Sequence, residues 1–157
     1  MSAEVRQFIA AIALIRRDRP DGSDEWLALW NAGRECYQFV EAHKIEDETF
    51  RQSLLREISW TTGLETGRDF LVAGGARARV QFAEVTPCDP EPVWFVVEFY
   101  LVELMGRRQG QLLSEHDQIA WLTADEVQAG RTRDGRPLCP RLCSLIKRAD
   151  ILQPWQA

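Results

Sequence analysis

Residues 42–64 read AHKIEDETFRQSLLREISWTTGL, and the segment that organises the chain lies inside them. From 47 to 61 the apolar residues Phe50, Leu54, Leu55 and Ile58 recur at spacings of three and four, which places them on one stripe of an α-helix. Thr49 or Asp47 stands where a side-chain cap belongs, and acidic residues crowd the expected first turn, where the helix dipole favours them. Gly63 follows, where a left-handed stop ends a helix. The pattern predicts a helix over 47–61.

Strands surround this helix on both sides. Upstream, 7–16 reads as a buried strand, although a short apolar run is a pattern that buried helix segments share. Turn formers from 18 to 24, with Pro20 and Gly22, end it as a hairpin loop would, and 25–30 returns as a second strand. Residues 31–34 read as a turn and 37–40 as a short extended piece. Downstream, 70–72 and 76–85 read as strands divided by Gly74-Gly75. Residues 86–92 read as a loop carrying Pro87, Pro90 and Pro92. The stretch 93–104 (VWFVVEFYLVEL) is the strongest strand signal, rich in β-branched and aromatic residues. Residues 107–114 read as a polar loop and 119–122 as a strand. Thr123 caps a short helix over 124–128, 130–137 is a loop, and 140–151 is a closing helix with Pro140 near its start. Strands around a central helix, with a helix at the end, predict an α/β domain built on a mixed sheet.

Composition bounds the rest. A chain of 157 residues suits one domain, expected over 1–157. With 45% hydrophobic and 27% charged residues the balance is globular. No apolar run reaches the roughly 20 residues that span a bilayer, and Met-Ser-Ala-Glu does not open a signal peptide, so the expected location is cytoplasmic with no membrane partner. A net charge of −5 leaves no basic excess for gripping nucleic acid backbones, although a few local cations suffice for a nucleotide. Cys36, Cys88, Cys139 and Cys143 include no C-x-x-C pair and read as reduced thiols, with Cys139 and Cys143 on one helical face.

Phosphoanhydride cleavage needs divalent cations to neutralise phosphate and a carboxylate to activate water. Magnesium takes oxygen ligands, and a helix supplies them when carboxylates fall three and four apart. Residues 42–64 align without a gap to G-x5-E-x7-R-E-U-x-E-E-x-G-U, where U is aliphatic. The matches are Glu48, Arg56, Glu57, Ile58, Gly63 and Leu64. On these residues the chain resembles the Nudix superfamily. The resemblance implies the Nudix fold, a mixed sheet sandwiched between helices (α/β/α). Ala42 replaces the leading glycine, and Trp60 and Thr61 replace paired glutamates. In the family, the positions of Glu57, Trp60 and Thr61 bind the metals, so only Glu57 is left as ligand and catalytic acid. A leftover carboxylate paired with arginine is its plainer reading. The positions of Glu48 and Arg56 brace the loop-helix-loop in the family, with Gly63 as part of the same structural box, and Arg56 is also a candidate for substrate binding.

A finer resemblance is to members that cleave diadenosine polyphosphates, which read K-G-H-x-E-x-G-E before the box helix. Here 41–48 reads EAHKIEDE, keeping the histidine as His43, while Glu41 reverses a charge. Ser114-Glu115-His116-Asp117 before Trp121-Leu122 matches a stretch that those relatives carry. Glu115 is a candidate base or extra metal ligand, and His43 and His116 are candidates for phosphate contact. A solvated carboxylate and surface histidines are the bland readings. Glu98 and Glu103 lie in the long strand, and alternation leaves open which way Glu103 points. The six tryptophans (Trp26, Trp30, Trp60, Trp94, Trp121, Trp155) are core by default. One or two are open to base stacking, and Trp60 to filling the metal site.

Three functional readings result. The first is a catalytically impaired protein that binds a nucleotide or phosphate-containing ligand. The second is an active hydrolase of a nucleoside diphosphate-linked substrate, using Mg2+ or Mn2+ with Glu57, Glu46 and Glu115. The third is a protein-interaction module. All three are compatible with a homodimer.

Overall fold

The apolar run near the N-terminus is uninterrupted because its strand is covered on both faces. In the computed structural model, which describes residues 6–86 and 89–152, it lies within β1 (Arg6–Asp18). Strand β7 (Asp89–Leu104) runs parallel to β1, from Arg6 beside Val93 to Arg16 beside Glu103. A strand sandwiched between layers needs apolar residues at every position rather than at alternate ones. Ala10, Ile12 and Leu14 enter one core cluster, and Ala11, Ala13 and Ile15 enter the other.

The remaining strands are antiparallel to their partners and extend this pair into a mixed sheet of eight strands. β2 (Asp24–Asn31) returns along β1, as the turn residues predict. β3 (Cys36–Gln38) pairs with β2, and β4 (Glu41–His43) pairs with β1. β5 (Phe70–Val72) and β6 (Ala78–Thr86) both pair with β7, and β8 (Ile119–Thr123) pairs with β2. Helices α1 (Phe50–Thr62) and α2 (Arg108–Ser114) cover one face: Leu54, Ile58 and Leu113 pack in the cluster of Ala11 and Ile15. Helices α3 (Ala124–Ala129) and α4 (Pro140–Ala149) cover the other, where Val127, Leu142, Leu145 and Ile146 pack with Ile12 and Leu14. The architecture is α/β/α.

Several expectations are corrected. Residues 107–114 are not a polar loop: α2 forms there although Arg107 gives no side-chain cap, because Leu113 is buried in the second core and Leu112 packs against it. Tertiary burial overrides a weak local signal. Acidic residues do not occupy the first turn of α1. The helix starts at Phe50, capped by Thr49, so Glu46, Asp47 and Glu48 precede it. The stretch 86–92 is mostly strand, with Thr86 opposite Asp89. Pro90 and Pro92 are tolerated because, among the described residues, β7 meets β1 only from Val93 onward, and proline is admitted where a strand lacks a partner on one side. β4 was not expected. The closing helix stops at Ala149, with Asp150 left-handed at φ 53.

Cys139 and Cys143 carry free thiols, and the Cys139 carbonyl accepts the Cys143 N–H at 3.1 Å, at the start of α4. Pro87, Cys88, Trp155 and the opening Met-Ser-Ala-Glu lie outside the described residues. Among the described residues no helix is long and apolar enough to cross a membrane.

Candidate functional site

Helix α1 is set by both its ends. The Thr49 hydroxyl accepts the Gln52 N–H, and the Gln52 side chain reaches back to the Thr49 N–H at 2.8 Å, a complete capping box. Gly63 closes the helix at φ 76, a left-handed angle that glycine adopts without strain. Between these caps, Ser53, Leu54, Ile58 and Thr62 face inward.

Glu48, Arg56 and Glu57 come together on the outer side. Arg56 donates to both oxygens of Glu48, through Nη2 at 3.0 Å and Nε at 3.4 Å, and the Ser53 hydroxyl donates to Glu48 at 2.9 Å. The Arg56 fork, then the Ser53 hydroxyl, hold the Glu48 carboxyl below its ordinary range, and the same pairing raises Arg56. Arg56 Nη1 also lies 3.6 Å from Glu57 Oε2. The pair of charges therefore ties the loop before α1 to the helix.

A magnesium ion takes six oxygens in near-octahedral geometry. This stretch offers the Glu57 carboxylate, already drawn to Arg56. The Thr61 hydroxyl turns back to donate to the Glu57 carbonyl at 2.8 Å, within the helix itself. Trp60 does not fill a metal cavity, for its side chain is 83% exposed. Among the described residues no group of three His, Cys, Asp or Glu side chains is placed to hold a metal. The residues of α1 do not by themselves fit a dication.

The two histidines part company. His116 lies just past α2, and its Nδ1 accepts the Gln118 N–H at 3.3 Å, which leaves the proton on Nε2. Nε2 lies 3.1 Å from the Thr61 carbonyl, so it donates to one of the acceptors that a helix end leaves unpaired. His43, on β4, stacks edge-on against Phe8 at 5.1 Å. Phe8 belongs to the core on the α4 side, so the histidines sit on opposite faces of the sheet. Glu115 is exposed and accepts from Gln111 at 3.3 Å.

His116 also lines a cleft of about 490 Å³ between α2, β8 and the end of β1, within the size range of small-molecule sites. Arg16 and Arg17 enter it from β1, and Glu103 and Trp121 face them. Arg16 pairs with Glu103 and lies 3.9 Å from Asp24. The Arg17 guanidinium stacks over Trp121 at 4.2 Å and bonds Glu25 at 3.1 Å. Neither arginine stood out in the sequence. Two cations ending an apolar strand were the available signal, but nothing local tells where the strand ends in space.

Solved structures share this fold across nearly the whole chain. The Ap4A hydrolase of C. elegans superposes with a TM-score of 0.61 at 15% identity, over 94% of this chain and 93% of that one. The NUDIX domain of Shewanella oneidensis NrtR, in complex with ADP ribose, gives 0.58 at 15%, over 92% and 86%. This chain has the Nudix fold. The MutT protein of Methanosarcina mazei Go1 superposes with a TM-score of 0.55 at 18% identity, over 95% and 96%. Against the longer NrtR chain the match is 0.60 at 17% and spans 61% of that chain. No family model and no curated protein matches the sequence.

Proposed function

We propose that this Nudix-fold chain binds a nucleotide or another phosphate-bearing ligand and hydrolyses phosphoanhydrides poorly or not at all. One observation carries the reading. At the helix position where three acids would gather, Glu57 stands alone beside Arg56 while Thr61 spends its hydroxyl on the backbone and Trp60 faces solvent. One carboxylate compensated by a guanidinium is too little negative charge to hold the cations that the chemistry requires.

The ligand site is the cleft of Arg16, Arg17, His116 and Trp121. Arg16 and Arg17 exchange their carboxylate partners for phosphate oxygens, which match the guanidinium fork. His116 fixes the cleft against the end of α1. The ADP ribose of the NrtR domain and the substrate named for the C. elegans hydrolase support a nucleotide-linked ligand.

The test pairs turnover with binding. The unmodified protein, given Mg2+ or Mn2+ and a panel of dinucleoside polyphosphates, is expected to show no turnover above background, while calorimetry detects nucleotide. Trp60→Glu with Thr61→Glu is expected to gain metal-dependent turnover. Robust turnover by the unmodified protein would overturn the reading in favour of an active hydrolase that recruits Glu46 or Glu115. Absence of both turnover and nucleotide binding would overturn it in favour of a protein-interaction module.

A further inference from the structure

A second cleft, of about 640 Å³, lies where the β1–β2 turn faces α3 and the loop that follows it. It adjoins the first: Asp24 lines the second cleft and reaches Arg16 of the first at 3.9 Å. Its apolar lining is Trp26, Ala124, Ala129 and Leu152, of which Trp26 and Leu152 are buried. Three arginines line it as well, Arg19 from the turn and Arg131 and Arg133 from the loop.

These arginines differ from several others. Arg17, Arg56, Arg79 and Arg141 each have a carboxylate partner. Among the described residues, the guanidinium groups of Arg131 and Arg133 make no hydrogen bond, ion pair or ring contact, and Arg19 has no carboxylate within 4.0 Å. The loop that carries Arg131 and Arg133 is nevertheless held firmly. The Arg133 N–H donates to Glu126 at 2.9 Å and the Arg131 N–H to the Glu126 carbonyl at 3.2 Å. Thr132, buried between them, accepts the Arg136 N–H at 2.9 Å. Burying Thr132 leaves its two neighbours on the outside, both facing the cleft.

Three of the four acids that line the cleft are engaged elsewhere. Asp21 accepts from the Ser23 N–H at 2.9 Å and its hydroxyl at 2.6 Å. Those bonds, more than the attraction of Arg19, hold its carboxyl below the ordinary range. Glu126 is consumed by the Thr123 cap and the Arg133 N–H. Asp24 sits by Arg16, and Asp125 is exposed.

We infer that this cleft is a second anion site, which takes the phosphate or pyrophosphate group of an organic phosphate on Arg19, Arg131 and Arg133. A guanidinium matches two phosphate oxygens at once, and the fixed loop backbone anchors two such side chains at the cleft, so that only the side chains are ordered on binding. Trp26 and Leu152 accommodate the apolar part of the ligand. The inference does not depend on the first cleft binding anything.

The probe is inorganic pyrophosphate, titrated into the whole chain and followed by backbone amide chemical shifts. The result expected is a saturable shift at Gly22, Ser23, Thr132 and Gly135, weakening as salt is raised. Arg131→Gln with Arg133→Gln, which removes two exposed guanidinium groups and keeps the backbone contacts of the loop, is expected to weaken that response by about tenfold or more. Arg17→Gln is expected to leave it unchanged. Shifts confined to Ser114, His116 and Trp121 would place the anion in the first cleft only and sink the inference while supporting the proposed function. A response at Thr132 that survives the double glutamine variant would sink it as well.

Discussion

Tyr100 sits in β7, 6% exposed, and its hydroxyl donates to Glu98 at 2.6 Å. Burial first, and the Glu98 carboxylate next, push the phenol up to about 12. A raised value in the folded chain means that the neutral form is favoured there. Its contribution to stability is complete below the ordinary tyrosine value of about 10 and is lost as pH rises from there through about 12. Ultraviolet titration should show one phenol that ionises late in the native protein, and Tyr100→Phe should remove that step and cost about 1 kcal/mol in denaturant unfolding. An unchanged titration would mean that Tyr100 is not the late group. At this scale the sequence was half legible. Alternation in 93–104 says that Glu98 and Tyr100 share a face, and they do meet. It could not say that Glu103 would find Arg16, because that pairing depends on the parallel register with β1.

Helix α1 shows what an element discloses. Apolar spacing and the terminal glycine marked it, and only the start was misplaced, since an acidic run resembles a first turn until a threonine with a glutamine three residues on competes for the cap. Thr49→Ala should destabilise the fold by about 1 kcal/mol, read as a lower midpoint with an unchanged denaturant slope. A neutral result would show that the Gln52 half of the box suffices. Helix α2 was illegible for the opposite reason. Arg107 and Gly110 advertise a loop, and the burial of Leu113 that settles the matter belongs to another part of the chain. The resemblance to the Nudix box lay in consecutive residues and was readable, whereas the clefts are assembled from segments a hundred residues apart in number and were not.

Across the whole molecule, Arg141 of α4 and Glu41 of β4 are separated by a hundred residues of chain and joined at 3.2 Å, with side chains 8% and 16% exposed. Arg141 lies 4.2 Å over the Phe8 ring, and its Nε has no partner. Removing one member of such a pair strands the other, so Glu41→Ala should cost about 3 kcal/mol, whereas Glu41→Ala combined with Arg141→Met should recover much of that loss. Additive effects in the double variant would show that the two charges do not couple.

The parallel union of β1 with β7 has a bearing on how the molecule is made. Strand β1 has as its central neighbour a strand that ends at Leu104, so the middle of the sheet cannot close until synthesis has run from Arg6 through Leu104. Until then an unbroken run of alanine, isoleucine and leucine lacks its parallel partner, and this non-local pairing should slow refolding from denaturant relative to helical proteins of the same length.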